Sequence, residues 1–319
     1  MHLCKKKCVY CSSFHVIKKG HQCGVQRWFC KDCNRHFSSR VRIAKSSIID
    51  AYLSGKSTAT ELAALYRLST RTIWRYLQTN LPDEIQSLSP CPIVAMMDTT
   101  YWRWTLGVVV IKDWLSGRIV WYKFINRKEV VEDYVEGIRA LEQQGFCIRG
   151  IVVDLLAGIT KELGQYPIQY CQLHQIQAMR VKYGLNPQEP MIQELVNIIY
   201  TLPRTDKESF IQELSGWREK WNDVLNEKAL NKRGNMGYIH KHTRRIYHDL
   251  VKNTPYLWTF YDYPELQLPN TNNAMESVCT TIKEKVRLHR GMSLERKKKL
   301  IVQLLMAHNP KRDNILHTF

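Results

Sequence analysis

Two apolar runs in this chain stop on a single acid: Pro92–Asp98 reads PIVAMMD, and Phe146–Asp154 reads FCIRGIVVD. Runs this apolar predict strands covered on both faces, the inner strands of a sheet packed between helices. The pattern around them fills in an order. Ile93–Met97 predicts a first strand, Trp104–Lys112 (WTLGVVVIK) a second and Arg118–Ile125 (RIVWYKFI) a third. Asp113–Gly117 is the turn between the latter two. Glu129–Gln144 then puts Val131, Tyr134, Val135, Ile138 and Leu141 on one helical face. Phe146–Val153 is a fourth strand. A short helix, a fifth strand near Ile168–Cys171 and a helix from Gln172 follow.

Three meandering strands, a helix, then alternating strands and helices is the order of an α/β, ribonuclease-H-like core. It puts Asp98 on the first strand and Asp154 at the end of its neighbour, the fourth. Carboxylates so placed can share divalent ions. Each has a plainer reading: Asp98-Thr99-Thr100 as a strand-end turn, Asp154 as the cap of the next helix. Their joint placement favours the metal-binding reading. Asp113 is a rival for the second position, but it sits in a turn. A third acid comes late. A helix beginning near Asn273 carries Glu276, Cys279, Thr280, Lys283 and Arg287 on one face, a carboxylate beside two cations. Asn273-x-x-Glu276 also reads as a capping box, and local sequence does not separate the two readings.

The charge is uneven. The chain of 319 residues has a net charge of +18, and residues 1–80 hold 15 Lys/Arg against 3 Asp/Glu. That implies a polyanionic partner. No apolar run approaches the ~18 residues of a membrane-spanning helix, and the start lacks a signal peptide's apolar segment. A cytoplasmic protein, at the nucleoid when bound to DNA, is expected. Six of the ten cysteines lie in the first 33 residues. Cys8-x-x-Cys11 and Cys30-x-x-Cys33, separated by 18 residues, match a closed tetrahedral Zn²⁺ site with a structural role. Cys4, Cys23, His15, His21 or His36 can replace one of the four. Arg27, in Gly24–Phe29 (GVQRWF), suits nucleic-acid contact, while Trp28 and Phe29 can pack on the knuckles.

Residues 41–80 read as a helix-turn-helix. Arg42–Leu53 and Thr58–Leu65 are helices, Tyr66–Leu68 is the turn, and Ser69 caps Thr70–Gln78. Ile73 and Leu77 face inward; Arg71, Thr72 and Arg75 face away, toward a DNA groove. The expected organisation is a zinc ribbon over 1–40, a helix-turn-helix over 41–80 and a linker over 81–92. A catalytic core over 93–184 and 270–295 follows, interrupted by an all-helical insertion over 185–269, with a basic C-terminal tail over 296–319. Within the insertion, 231–245 (NKRGNMGYIHKHTRR) reads as a basic loop. In the tail, Arg296–Lys299 (RKKK) reads as a solvated or DNA-facing stretch.

Taken together, the zinc knuckles, the helix-turn-helix, MMDTTYW around Asp98, IVVD at Asp154, Cys171-Gln-Leu-His174, and NTNNAMES through Arg287-Leu-His-Arg290-Gly291 resemble the bacterial insertion-sequence branch of the Mutator-like transposases. The resemblance covers nearly the whole chain. It implies a DDE transposase in which Asp98, Asp154 and Glu276 are the triad, holding two Mg²⁺ (or Mn²⁺) ions roughly 3.5–4 Å apart. It places Cys171 and His174 near the active site, with Lys283, Arg287 and Arg290 as accessory residues. Leu155 follows the second Asp where the family typically has Gly. Double-stranded DNA, as terminal inverted repeats and as target, is the implied partner, and joining two ends implies at least a dimer. The alternatives are a DNA-binding regulator that uses residues 1–80 alone and a junction-resolving nuclease with the same core.

Overall fold

The computed structural model describes residues 6–22, 24–38, 44–54, 57–79, 89–102, 106–184, 187–230, 234–288 and 292–309. Arg290, Cys4, Cys23, Arg42 and most of the 81–92 linker lie outside them. The chain divides into two compact units, Met1–Asn80 and Leu81–Phe319.

In the first unit β1 (Val16–Gln22), β2 (Val25–Cys30) and β3 (His36–Ser38) form an antiparallel sheet in that order. Its buried core is Cys8, Cys30 and Phe37, with Val16, Trp28 and Cys33 packed against them. So small an apolar cluster cannot offset the ordering entropy of the sheet alone. Three helices follow: α1 (Lys45–Ser54), α2 (Ala59–Leu65) and α3 (Thr70–Thr79). They bury Ile48, Tyr52, Leu62, Ala63, Ile73 and Leu77. The helix starts are capped. Thr58 and Glu61 form a reciprocal capping box. Ser69 Oγ accepts from the Thr72 N–H at 3.1 Å. The turn between α2 and α3 has no glycine, and Arg67 takes the left-handed conformation itself, at φ 51°.

The second unit is built on a five-stranded sheet of β4 (Pro92–Trp102), β5 (Leu106–Asp113), β6 (Ile119–Ile125), β7 (Cys147–Val153) and β8 (Ile168–Tyr170). The order is β6-β5-β4-β7-β8. β4, β5 and β6 are antiparallel neighbours, whereas β7 runs parallel to β4 and β8 parallel to β7. This mixed order is consistent with a ribonuclease-H-like core. Ile93 through Met97 are fully buried, which is why the central strand is apolar along its length. Between β6 and β7 lies α4 (Val131–Gln143); α5 (Ile159–Leu163) and α6 (Gln172–Tyr183) flank β8. Gly137 lets α4 approach the sheet closely, since a Cβ there would lie 2.6 Å from Ile111 Cδ1 and 2.8 Å from the Trp121 ring.

Beyond α6 come α7 (Pro190–Thr201), α8 (Lys207–Lys220), α9 (Asn222–Asn226), α10 (Lys241–Leu257) and α11 (Thr259–Asp262). Two expectations fail here. The insertion is not all-helical: β9 (Lys228–Leu230) and β10 (Met236–Tyr238) pair as an antiparallel hairpin. The stretch 231–245 is not one loop, because it supplies β10 and the first turn of α10. Long-range bonds tie this region to the core; the Gln169 and Gln172 side-chain amides both donate to the Leu257 carbonyl at 2.9 Å.

The chain returns through α12 (Asn273–Leu288) and α13 (Leu294–His308). The expected C-terminal tail is a packed helix as far as His308. Arg296 and Lys299 are exposed in its early turns, while Leu300, Ile301, Leu304 and Leu305 are buried. Asn309 then binds the edge strand β6: its Oδ1 accepts from the Ile119 N–H at 2.6 Å, and its Nδ2 donates to the Ile119 carbonyl at 3.2 Å. A short basic run hid an apolar helix face one turn further on.

Candidate active site

Sheet register decides where the first two acids lie. Met96 on β4 is paired with Val152 on β7, so two more residues along the parallel pair bring Asp98 level with Asp154. Val153 is paired with Tyr170 on β8, so the next step brings Asp154 level with Cys171. The Cys171 N–H donates to the Val153 carbonyl at 3.0 Å and keeps that step in register. One helical turn on, His174 brings a ring nitrogen within 4.8 Å of the Asp154 carboxylate and the Cys171 sulfur.

Glu276 arrives from α12, which packs on β4. The Asn272 carbonyl accepts from the Met275 and Glu276 N–H groups, so Asn272 stands at the N-cap position and Met275, not Glu276, at the third helical position. Asn273 is the first helical residue and is exposed. The proposed Asn273–Glu276 capping box is therefore out of register. The Glu276 carboxylate turns instead to His174, whose Nε2 lies 3.3 Å from Glu276 Oε1. His174 Nδ1 lies 2.9 Å from Asp154 Oδ1.

Asp98, Asp154, His174, Glu276, Thr280 and Lys283 line one cleft of about 470 Å³. Its electrostatics are those of crowded acids. Burial, and then the charge of Asp154, pushes Asp98 up to about 7, against hydrogen bonds from Cys279 and the Thr99 N–H. Burial and the neighbouring Asp98 raise the Cys279 thiol in turn. Burial disfavours a charged His174, but Asp154 and Cys171 outweigh it and hold the imidazole up to about 10. Carboxylates gathered on one open cleft, with Asp98 held above the usual range by burial and by Asp154, are a donor set suited to a hard divalent cation.

Other expected residues fall elsewhere. Asp113 is structural: its carboxylate accepts from the Val94, Leu115 and Ser116 N–H groups at 3.1, 3.2 and 2.9 Å. Arg287 is exposed on α12 outside the cleft lining. Leu155, the departure after the second acid, packs against the core and lines the cleft. The tight step beyond it is taken by Gly158, at φ +94°.

The four N-terminal thiols also meet. Cys8, Cys11, Cys30 and Cys33 place their sulfurs within 4.8 Å of one another, a set that can hold one metal ion. Burial, and then the crowding of Cys11, Cys8 and Cys30, pushes Cys33 up to about 12. Burial opposes ionisation of Cys8 as well, but the N–H groups of Cys11 and Tyr10 bring it to about 7. Arg27 lies half-buried on β2, opposite Ser38. Trp28 joins the packing around the knuckles. On α3 Arg71 and Arg75 are exposed. The Thr72 hydroxyl is instead engaged with Ser69 Oγ at 2.9 Å, at the helix cap.

No protein-family model matches this sequence, and no curated protein matches it. Among solved structures, a chain of the Drosophila P element transposase strand transfer complex is similar, at 12% identity and a TM-score of 0.32, over 88% of this chain and 80% of that one. A chain of the simian T-cell lymphotropic virus intasome in complex with PP2A regulatory subunit B56 gamma is similar at 14% identity and a TM-score of 0.21, over 84% and 76%. Likenesses at these scores do not decide function.

Several residues in the cleft lining or directly behind it gave no local signal. Asn272 is fully buried; its Nδ2 donates to the Met97 carbonyl at 3.1 Å and contacts Asp154 Oδ1 at 3.3 Å, and its N–H donates to Cys171 Sγ at 3.2 Å. It thereby joins β4, β7, the start of α6 and the start of α12. Only its place in the NTNNAMES block singled it out. Thr99 and Tyr134 share a hydroxyl–hydroxyl bond of 2.8 Å, and Tyr101 donates to Glu129 at 2.6 Å. These pairs are 35 and 28 residues apart, so neither is visible in a local window.

Proposed function

We propose that this protein is a DDE-type DNA transposase, cutting DNA strands and joining the freed ends to a target by metal-dependent phosphoryl transfer. One observation carries the reading: acids from a first strand, a fourth strand and a late helix converge on one cleft, with the two strand acids level across a parallel pair. Asp98, Asp154 and Glu276 would hold Mg²⁺ or Mn²⁺. Bound there, such ions would supply Lewis-acid chemistry, polarising a phosphate and favouring loss of the attacking oxygen's proton, whether that oxygen belongs to water or to a DNA 3′-OH. The protein's own groups do the rest. Asn272 fixes Asp154 to the end of β4. His174 spans Asp154 and Glu276 and holds the helix acid against the strand acid. Lys283, on the cleft wall, supplies a cation for the phosphate being cut, and Arg287 one for the flanking backbone. The attacking oxygen forms its P–O bond as the 3′-oxygen leaves, and no protein–DNA bond intervenes.

Recognition falls to residues 1–80, read as a zinc ribbon and a helix-turn-helix. Zn²⁺ at the four thiols would hold the small sheet together. Arg27, Arg71 and Arg75 would contact the terminal inverted repeats, with affinity falling steeply as salt rises. Pairing two ends calls for at least a dimer. The test supplies Mg²⁺ and duplexes carrying the sequences that flank the gene. Wild type cuts at the ends and joins them; Asp98→Asn and Asp154→Asn bind the same duplexes without cutting. A wild-type protein that binds but never cuts is a DNA-binding regulator, and one that cuts only branched junctions is a resolving nuclease.

A further inference from the structure

We infer that Asp154, Cys171 and His174 form a second metal site, one for a softer divalent ion of the zinc class. The three residues offer one oxygen, one sulfur and one nitrogen, all within 4.8 Å of one another. Ligands ~2.0–2.3 Å from a single Zn²⁺ lie a little closer together than that, within the reach of small side-chain rotations. A buried thiol is a poor ligand for Mg²⁺ and a good one for zinc, so the set selects against the ion proposed for the acids.

Two observations point to an ion rather than to a hydrogen-bonded cluster. His174 Nδ1 is buried and pairs with Asp154 Oδ1 at 2.9 Å, a contact that falls outside hydrogen-bond angles. The carboxylate oxygen, the thiol sulfur and the ring nitrogen surround one point close enough for a single ion to meet all three. The far nitrogen is arranged to match, since Nε2 lies 3.3 Å from Glu276 Oε1. A metal-bound histidine characteristically gives its other ring N–H to a carboxylate, which fixes the tautomer and turns the ring. The backbone supports the same geometry. Cys171 opens α6 and His174 follows one turn later, while Asn272 N–H holds Cys171 Sγ at 3.2 Å. Asp154 and His174 also line the cleft, so a water there would be at hand to complete the set, as in three-ligand zinc sites. On binding, the thiol and Nδ1 release their protons to solvent and the ion takes their place.

Asp154 is shared with the site proposed above, and only that overlap depends on the transposase reading. An ion held here engages Asp154 and fixes Glu276 on His174, and so competes with the hard cation for the same acids.

Cobalt, titrated into the full-length metal-free protein and followed by its thiolate charge-transfer absorption, tests the site. Wild type should bind one cobalt more per chain than Cys171→Ser, and His174→Gln should lose the same ion. Cys8→Ser with Cys11→Ser should lose only the N-terminal ion, and Cys279→Ser should lose neither. Equal counts in wild type, Cys171→Ser and His174→Gln overturn the site. Each variant's circular dichroism must match wild type; where one of the pair Cys171→Ser and His174→Gln does not, the count for the other decides. DNA cutting plays no part in this count, so a chain that binds the extra ion and never cuts refutes the transposase reading alone.

Discussion

At the scale of the residue, Asp98 carries the clearest electrostatic signature. Its pKa of about 7 lies above the ordinary 3.8, so the metal-free protein bears a growing cost as pH rises from about 4 to about 7 and the carboxylate ionises beside Asp154. A divalent cation offsets that cost. The rise in Tm on adding Mg²⁺ should therefore be larger at about pH 8 than at about pH 6, and Asp98→Asn should remove the difference. Scanning fluorimetry at the two pH values checks it; an equal shift at both contradicts it. Asp133 behaves in the opposite sense. Burial works against its charge, but Arg127 at 2.7 Å and Lys123 at 3.0 Å outweigh burial and bring it down to about 2. Its contribution is complete above the ordinary 3.8 and lost as pH falls toward about 2. Asp133→Asn should cost ~2–3 kcal/mol in urea unfolding at neutral pH, and much less near pH 2. What the sequence revealed at this scale was uneven. Asp98 and Asp154 stood out because an acid ending an apolar run is conspicuous. Glu276 did not, because its capping-box reading depends on whether the helix starts at Asn272 or Asn273, which tertiary contacts decide. His174 was placed near the site only by resemblance. The two carboxylates it meets lie 20 residues before it and 102 after it in the chain.

At the scale of elements, periodicity located the strands and helices of the core and the three helices of 45–79, since each carries a buried face in its own period. It failed where apolar content was thin. The β9–β10 hairpin is three exposed or half-buried residues a side, too polar to show alternation. The basic start of α13 masked its buried face. Tight packing was equally illegible. Gly137, inside α4, looks like a weak spot in a helix but marks the closest approach of α4 to β5 and β6. Gly137→Ala should destabilise the protein by ~1–3 kcal/mol despite alanine's better helix propensity, because Ile111 and Trp121 must move. Chemical denaturation measures this; a gain in stability would mean the gap closes without cost.

At the scale of the whole molecule, the two compact units answer to different forces. The second unit has a large apolar core, whereas the small sheet of the first rests on Cys8, Cys30 and Phe37. A strong chelator should therefore abolish amide protection over residues 16–38 while the strands β4 to β8 keep theirs, as read by hydrogen exchange. Loss of protection in both would mean the core depends on the ion as well. The acids of the cleft belong to this scale too, since 177 residues separate Asp98 from Glu276 and only the completed fold joins them. If the three act as one metal-dependent cutting site, removing any one of them must stop the chemistry. Single-turnover cutting of an end-bearing duplex in Mg²⁺ by Glu276→Gln reads this at the acid whose sequence reading was most open. A loss of at least ~10²-fold is expected, with DNA affinity and Tm near wild type. Cutting at the wild-type rate by this variant would contradict a three-acid site.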